Sequence, residues 1–267
     1  MNKAIATGIA GLAVSVAMLA AGFVAGERSA ATPAVSAAAG PARAVSRDEV
    51  ELIVRDYLLR TPDLLSDMQA ELEYRQREEQ RLALLDAIGN SSDALFNAAY
   101  DGVVGNPQGS TTVVEFFDYN CGYCKRAYDD MAAMVAEDGN LRFVLKEFPI
   151  LGPDSHKAHI VSMAFRALAP DRYGEFHRAL LTGARATEAT AIAAAVALGV
   201  DEAALREEMK NPAIADAFSQ TYELAQSLAI TGTPSYVIGQ EVVFGALGKA
   251  VLEEKVALAR ADAAGGE

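Results

Sequence analysis

Tryptophan is absent from the 267 residues, histidine occurs three times and cysteine twice. The missing tryptophan has no functional consequence. The two cysteines stand as Cys121-Gly122-Tyr123-Cys124, and a purely structural bridge across so short a loop would remove little entropy from the unfolded chain. Basic charge is scarce as well: 23 Lys and Arg face 36 Asp and Glu, giving a formal net charge of −13 with no basic stripe. Nucleic acid is therefore not an expected partner. Charge of either sign is missing from Ala4 to Gly26, an Ala/Gly-rich apolar run between Lys3 and the Glu27-Arg28 pair.

That run has the outline of an export signal. Its 23 residues exceed the roughly 7 to 15 of a signal core and reach the roughly 20 that span a bilayer. Residues 1–26 are accordingly expected to be either a cleaved signal peptide, with small-residue sites near Ala37 and Ala39, or an uncleaved signal anchor with Lys3 on the cytoplasmic side. Both outcomes place the cysteines outside the inner membrane, in the periplasm.

The cysteine pair follows the apolar run Val113-Val114-Glu115-Phe116-Phe117 and precedes a helix-compatible stretch. With a strand over 111–117 and a helix over 122–136, Cys121 sits at a helix N-terminus, where unpaired N–H groups and the helix dipole favour an anion. A thiolate is such an anion, and thiols in this setting titrate at roughly 3.5 to 7.5 rather than about 8.5. Cys121 is thus the expected attacking sulfur. Cys124, one turn further in, is placed to resolve a mixed disulfide. Metal remains an alternative: His156 and His159 form an HxxH pair that could complete a Cys2His2 zinc set, and two soft thiolates could hold copper(I). The 31 residues between Cys124 and His156 (125–155) argue against a compact zinc finger, which has about 12 to 15 there. His156 and His159 are expected to be exposed or capping residues near the start of the helix after Pro153, and His177 a position on an ordinary helix face.

Residues 27–45, rich in Ala, Pro, Ser and Thr, have no helical amphipathicity and are expected to form a flexible tether. Order should begin at Ser46, where Ser46-Arg47-Asp48-Glu49 fits a capping box and Val50, Ile53, Val54, Tyr57 and Leu58 recur at helical spacing. Thr61-Pro62 restarts the helix. The second helix is apolar near Leu65, Met68 and Leu72, charged from Glu71 to Arg81, and apolar again at Leu82, Leu84, Leu85 and Ile88. Its middle cannot be deeply buried. Residues 46–90 are either a stalk that joins copies of the chain into a homo-oligomer or a solvated helix laid on its own domain. Residues 89–110, rich in Gly, Asn and Ser, close this region.

Strands are then expected at Thr111 to Phe117, Leu141 to Phe148, Ser235 to Ile238 and Val242 to Phe244. A helical block runs from Pro153 to Ala229 with breaks at Pro170, Gly183, Gly199 and Pro212, and a last helix covers Lys249 to about Ala259. Strand, helix, strand, helical insertion, hairpin and helix describe an α/β fold.

Phe116-Phe117-Asp118-Tyr119-Asn120-Cys121-Gly122-Tyr123-Cys124-Lys125, together with Thr231-Gly232-Thr233-Pro234-Ser235-Tyr236, resembles the DsbA family of exported thioredoxin-fold oxidoreductases over about residues 100–260. Tyr57-Leu58-Leu59-Arg60-Thr61-Pro62-Asp63-Leu64-Leu65 is similar to the helical extension of its ScsC-like branch. The resemblance implies a thioredoxin fold with a helical insertion behind an N-terminal helical extension, and a redox-active Cys121-Cys124 pair that needs no cofactor. Partners would be protein thiols and disulfides and a membrane redox partner. It also implies a cis peptide before Pro234, with Thr233 bordering the dithiol and both contacting substrate. Glu115 would lie beneath the disulfide as a proton relay to the inner thiol, with Lys146 as its charge partner. The Gly-Tyr dipeptide, Thr233 and the stalk resemble isomerase-like or reductase-like members more than the monomeric oxidase. A copper(I)-binding envelope protein using the same thiolates is the alternative function.

Overall fold

The computed structural model describes residues 46–265. The expected signal peptide or signal anchor of residues 1–26 and the expected tether of 27–45 lie outside the described residues. Among the described residues no helix is long and apolar enough to cross a membrane. The chain divides into two compact units after Ser66.

In the first unit, helix α1 spans Arg47–Arg60. The Ser46 hydroxyl accepts the Glu49 N–H (3.2 Å) while the Ser46 N–H donates to the Glu49 carboxylate (3.0 Å), closing a capping box that stabilises the first turn by about 1 kcal/mol. No residue of α1 is buried. Val50, Ile53, Val54, Tyr57 and Leu58 form an exposed apolar row. The next helix, α2 (Asp63–Asn90), begins just after the Thr61-Pro62 step and crosses the division between the units.

The second unit is built on a five-stranded sheet of order β1-β3-β2-β4-β5. Its strands are β1 (Gly102–Gly105), β2 (Thr111–Phe117), β3 (Leu141–Glu147), β4 (Ser235–Ile238) and β5 (Glu241–Phe244). Only β2 and β3 pair in parallel. Helix α4 (Gly122–Glu137) connects those two, because a parallel pair needs a crossover. Helices α5 (Pro153–Leu168), α6 (Tyr173–Thr182), α7 (Glu188–Ala197), α8 (Glu202–Glu208) and α9 (Pro212–Ser227) form the insertion, and α10 (Lys249–Gly265) ends the unit.

Period-two alternation divides β2 and β3 between two cores. Val113, Phe117, Phe143 and Leu145 join Met131 and Met134 of α4, Leu252 and Val256 of α10, and the apolar face of α5. Val114, Phe116 and Val144 pack on the opposite side with Ile88, Leu95 and Leu224. Residues 89–110 are more ordered than a closing loop, containing a short helix α3 (Ser92–Phe96) and the edge strand β1. Gly102 is required there, because the Tyr173 ring occupies the space that a Cβ would take.

The same alternation corrects the expected role of Lys146. Glu115 pairs with Leu145 across the parallel ladder and Phe116 with Lys146, so the Glu115 and Lys146 side chains leave opposite faces of the sheet. Lys146 is instead fully buried in an ion pair with Asp101 and donates to the Ala94 carbonyl, fastening α3 and the start of β1 to the second core.

Candidate active site

Cys121 is the N-cap of α4, with extended backbone angles (φ −73°, ψ 115°), and its sulfur accepts the Cys124 N–H at 3.4 Å. Both cysteines are free thiols. Cys121 is 6% exposed and Cys124 fully buried, so a protein client can reach only the first sulfur. The Cys121 thiol is pulled down to about 5, first by the hydrogen bond from the Cys124 thiol, with help from Thr233 and the Cys124 and Tyr123 N–H groups, against the opposing effect of burial. Burial pushes the Cys124 thiol far above the usual thiol range, and the hydrogen bond to Cys121 and the charge of Glu115 push it further. One site thus holds a stabilised thiolate and a reluctant thiol.

The peptide bond Thr233-Pro234 is cis, and the Thr233 carbonyl lies 3.1 Å from the Cys121 sulfur. Pro234 is buried and leads directly into β4, whose Ser235 pairs with Phe116 of β2. Strand pairing therefore carries residues more than a hundred positions apart to the same sulfur.

Glu115 is 4% exposed and lies across the ladder from Tyr236 of β4. Burial, reinforced by the Cys121 charge, raises its carboxyl to about 8, while a hydrogen bond with Tyr236 works in the other direction. Glu115 is thus protonated beside a charged Cys121, and Tyr236 occupies the place expected for Lys146.

Several further residues hold this site, and sequence reasoning assigned them no role. The Asp118 carboxylate accepts N–H groups from Asn120 (2.8 Å), Ile150 (2.9 Å) and Leu151 (3.0 Å), and the Ser155 hydroxyl at 2.8 Å. The Asn120 side chain reads both the N–H and the carbonyl of Ala186. Lys125 donates to the Gly183 and Ala184 carbonyls. The segment after α6 is thus fastened on both sides of the cysteine pair. The available signal was the polar Asp118-Tyr119-Asn120 stretch between an apolar strand and a cysteine.

One of the three histidines departs from expectation. His156 is exposed, with its ring on Phe218. His159 and His177 are fully buried. His159 contacts Glu147 and the Tyr119 N–H, so it neither caps α5 nor faces the cysteines as a ligand. Burial lowers His177 to about 3, leaving it neutral. Among the described residues no group of three or more His, Cys, Asp or Glu is arranged to hold a metal ion.

The DSBA-like thioredoxin domain model matches residues 112–257, and the model of the copper resistance protein ScsC N-terminal domain matches residues 47–79. Disulfide bond formation protein D of Bacillus subtilis (strain 168) is 25% identical over 153 residues, which is 53% of this chain and 68% of that protein. A thioredoxin-like oxidoreductase from Silicibacter pomeroyi DSS-3 is 39% identical, covering 63% of this chain and 96% of its own, with a TM-score of 0.60. ScsC of Proteus mirabilis in a transitional conformation is 26% identical, covering 82% of this chain and 97% of its own, with a TM-score of 0.61. The sheet, the cysteine pair on α4 and these matches agree: the chain belongs to the DsbA-like thioredoxin family and is a thiol:disulfide oxidoreductase of the DsbA/ScsC type.

Proposed function

We propose that this chain is an exported thiol:disulfide isomerase or reductase acting on periplasmic proteins, with Cys121 as nucleophile and Cys124 as resolving thiol. The observation that carries the reading is the placement of the pair, with Cys121 at the N-cap of α4, its sulfur on the Cys124 N–H, and Cys124 fully buried behind it; the lowered Cys121 thiol and the raised Cys124 thiol accord with that placement. The Cys121 thiolate attacks one sulfur of a client disulfide. The client S–S bond breaks, a Cys121–client disulfide forms, and the released client sulfur takes up a proton. That step also removes the Cys121 charge that helps to raise Glu115, so Glu115 becomes the stronger acid and its proton is the one that passes to the released client sulfur. The Glu115 carboxylate then takes the Cys124 proton. The Cys124 sulfur attacks Cys121, releasing the client with both sulfurs reduced and leaving Cys121-Cys124 oxidised for a membrane redox partner to reduce. Attack by a client thiol before Cys124 resolves gives isomerisation instead. The Thr233-Pro234 segment, against the Cys121 sulfur, supplies backbone groups for an extended client.

Two features favour isomerase or reductase over oxidase. The Gly122-Tyr123 dipeptide and Thr233 resemble that branch, and α1 carries an apolar row that is exposed among the described residues, suited to joining copies of the chain into a homo-oligomer. A Salmonella enterica serovar Typhimurium relative, 25% identical with a TM-score of 0.57, is described as a periplasmic thioredoxin-like protein, in keeping with export through residues 1–26. The test is refolding of scrambled and of reduced ribonuclease in parallel. Rescue of the scrambled form supports isomerase action, whereas oxidation of the reduced form alone overturns it. Stoichiometric copper(I) binding without thiol exchange would favour the copper(I)-binding alternative.

A further inference from the structure

The turn that presents Cys121 is held from below by a buried hydrogen-bonded pair, His159 of α5 in the helical insertion and Glu147 at the end of β3. The Tyr119 N–H donates to His159 Nε2 at 3.2 Å, so that nitrogen is the acceptor and carries no proton. The imidazole proton therefore sits on Nδ1, which donates to Glu147. Glu147 also accepts the Ser162 hydroxyl at 2.6 Å and the Tyr173 hydroxyl at 2.9 Å, which fixes its orientation. Phe117 and Tyr119 pack against the imidazole at 5.2 and 4.6 Å between ring centroids. All these residues are buried.

Two residues further along the chain, the Asp118 carbonyl accepts the Cys121 N–H at 3.0 Å. Tyr119, the residue that His159 grips, lies inside that turn. Cys121 in turn must keep its sulfur over the Cys124 N–H and thiol.

We infer that His159 and Glu147 form a positioning pair for the nucleophile, in which the tautomer set by Glu147 lets His159 accept the Tyr119 N–H and so fixes the turn that aims the Cys121 sulfur at its stabilising donors. The inference rests on the reading of Cys121 as nucleophile. The ionisable groups against the imidazole are Asp118 (Oδ1 3.9 Å from Nε2), Glu147 and Tyr119; Tyr173 reaches it through Glu147, and His177 lies behind Phe117 and Tyr119. None of them touches the sulfur, so the pair acts through backbone geometry.

The test is the pH profile of Cys121 alkylation by iodoacetamide in the full chain, which requires no client and so stands apart from whether exchange is catalysed. H159L removes the acceptor; the expected result is a profile displaced upward by about one pH unit, with roughly five- to tenfold slower alkylation at pH 4.5 and convergence near pH 9. H159Q, whose amide oxygen can take the Tyr119 N–H, should restore most of the wild-type profile. E147Q, which no longer dictates the tautomer, should move the profile in the same direction as H159L by a smaller amount. If H159L does not fold, E147Q and H159Q decide. Wild-type profiles in folded H159L or E147Q, even with lowered melting temperatures, would overturn the inference. An H159Q profile displaced as far as that of H159L would do the same.

Discussion

Replacing Glu115 by Gln should change the pH dependence of stability by an amount that the site itself sets. In the folded, reduced protein the Glu115 carboxyl is raised from 4.5 to about 8. Between those values the unfolded chain has released the proton and the folded chain has not, so this group destabilises the fold progressively as pH rises. Cys121 works in the opposite sense. Its thiol is lowered from 9.0 to about 5, so its contribution grows as pH rises from 5 and is lost as pH falls through that value. In the wild-type reduced protein the two largely offset one another between pH 5 and 8. E115Q removes only the destabilising member. Across those three pH units the linkage ceiling is about 4 kcal/mol, and relaxation around a buried carboxyl lowers the expected gain of E115Q at pH 8 relative to pH 5 to roughly 2–3 kcal/mol. Urea unfolding of the reduced wild type and E115Q at both pH values measures it. The same difference between the two proteins at pH 5 and pH 8 would refute the buried, protonated Glu115.

Alkylation of reduced wild type should titrate with a midpoint near pH 5 from Cys121, with Cys124 unmodified until the protein unfolds; peptide mass mapping distinguishes the two sulfurs. K146M should cost about 3 kcal/mol by leaving Asp101 buried without its partner, yet leave the Cys121 alkylation profile unchanged, because Lys146 lies on the other face of the sheet. A shifted profile would restore Lys146 to the site. A chain beginning at Asp67 should retain insulin reduction and lose self-association in analytical ultracentrifugation. A monomeric mass for the protein that retains residues 46–66 would sink the proposed role of α1.

What the sequence revealed and what it concealed follow from the range of the interactions involved. β2 and β4 are legible because short apolar runs bounded by turn residues specify them, and the α4 N-terminus because Cys121-Gly122-Tyr123-Cys124 follows an apolar strand directly. The capping box at Ser46 needs only four consecutive residues. The partner of Lys146 is not legible in the sequence because alternation within one strand does not disclose register between two; Glu115 faces Leu145 in the ladder, and a shift of one residue would have placed both charges together. The α3–β1 region was hidden by glycine, since Gly102 reads as loop until the Tyr173 ring is seen to require it. His159 and Glu147 are 12 positions apart, and nothing local marks either as buried. Their partnership exists only once α5 is laid against the end of β3.

The assignment of Cys121 as nucleophile and Cys124 as resolving thiol is tested most directly by trapping the intermediate. A full chain carrying C124A, incubated with a disulfide-bonded client, should accumulate a covalent adduct through Cys121 that dithiothreitol releases, while C121A under the same conditions should give none. An adduct through Cys124 in C121A at a comparable rate, or no adduct in either variant, would contradict the account.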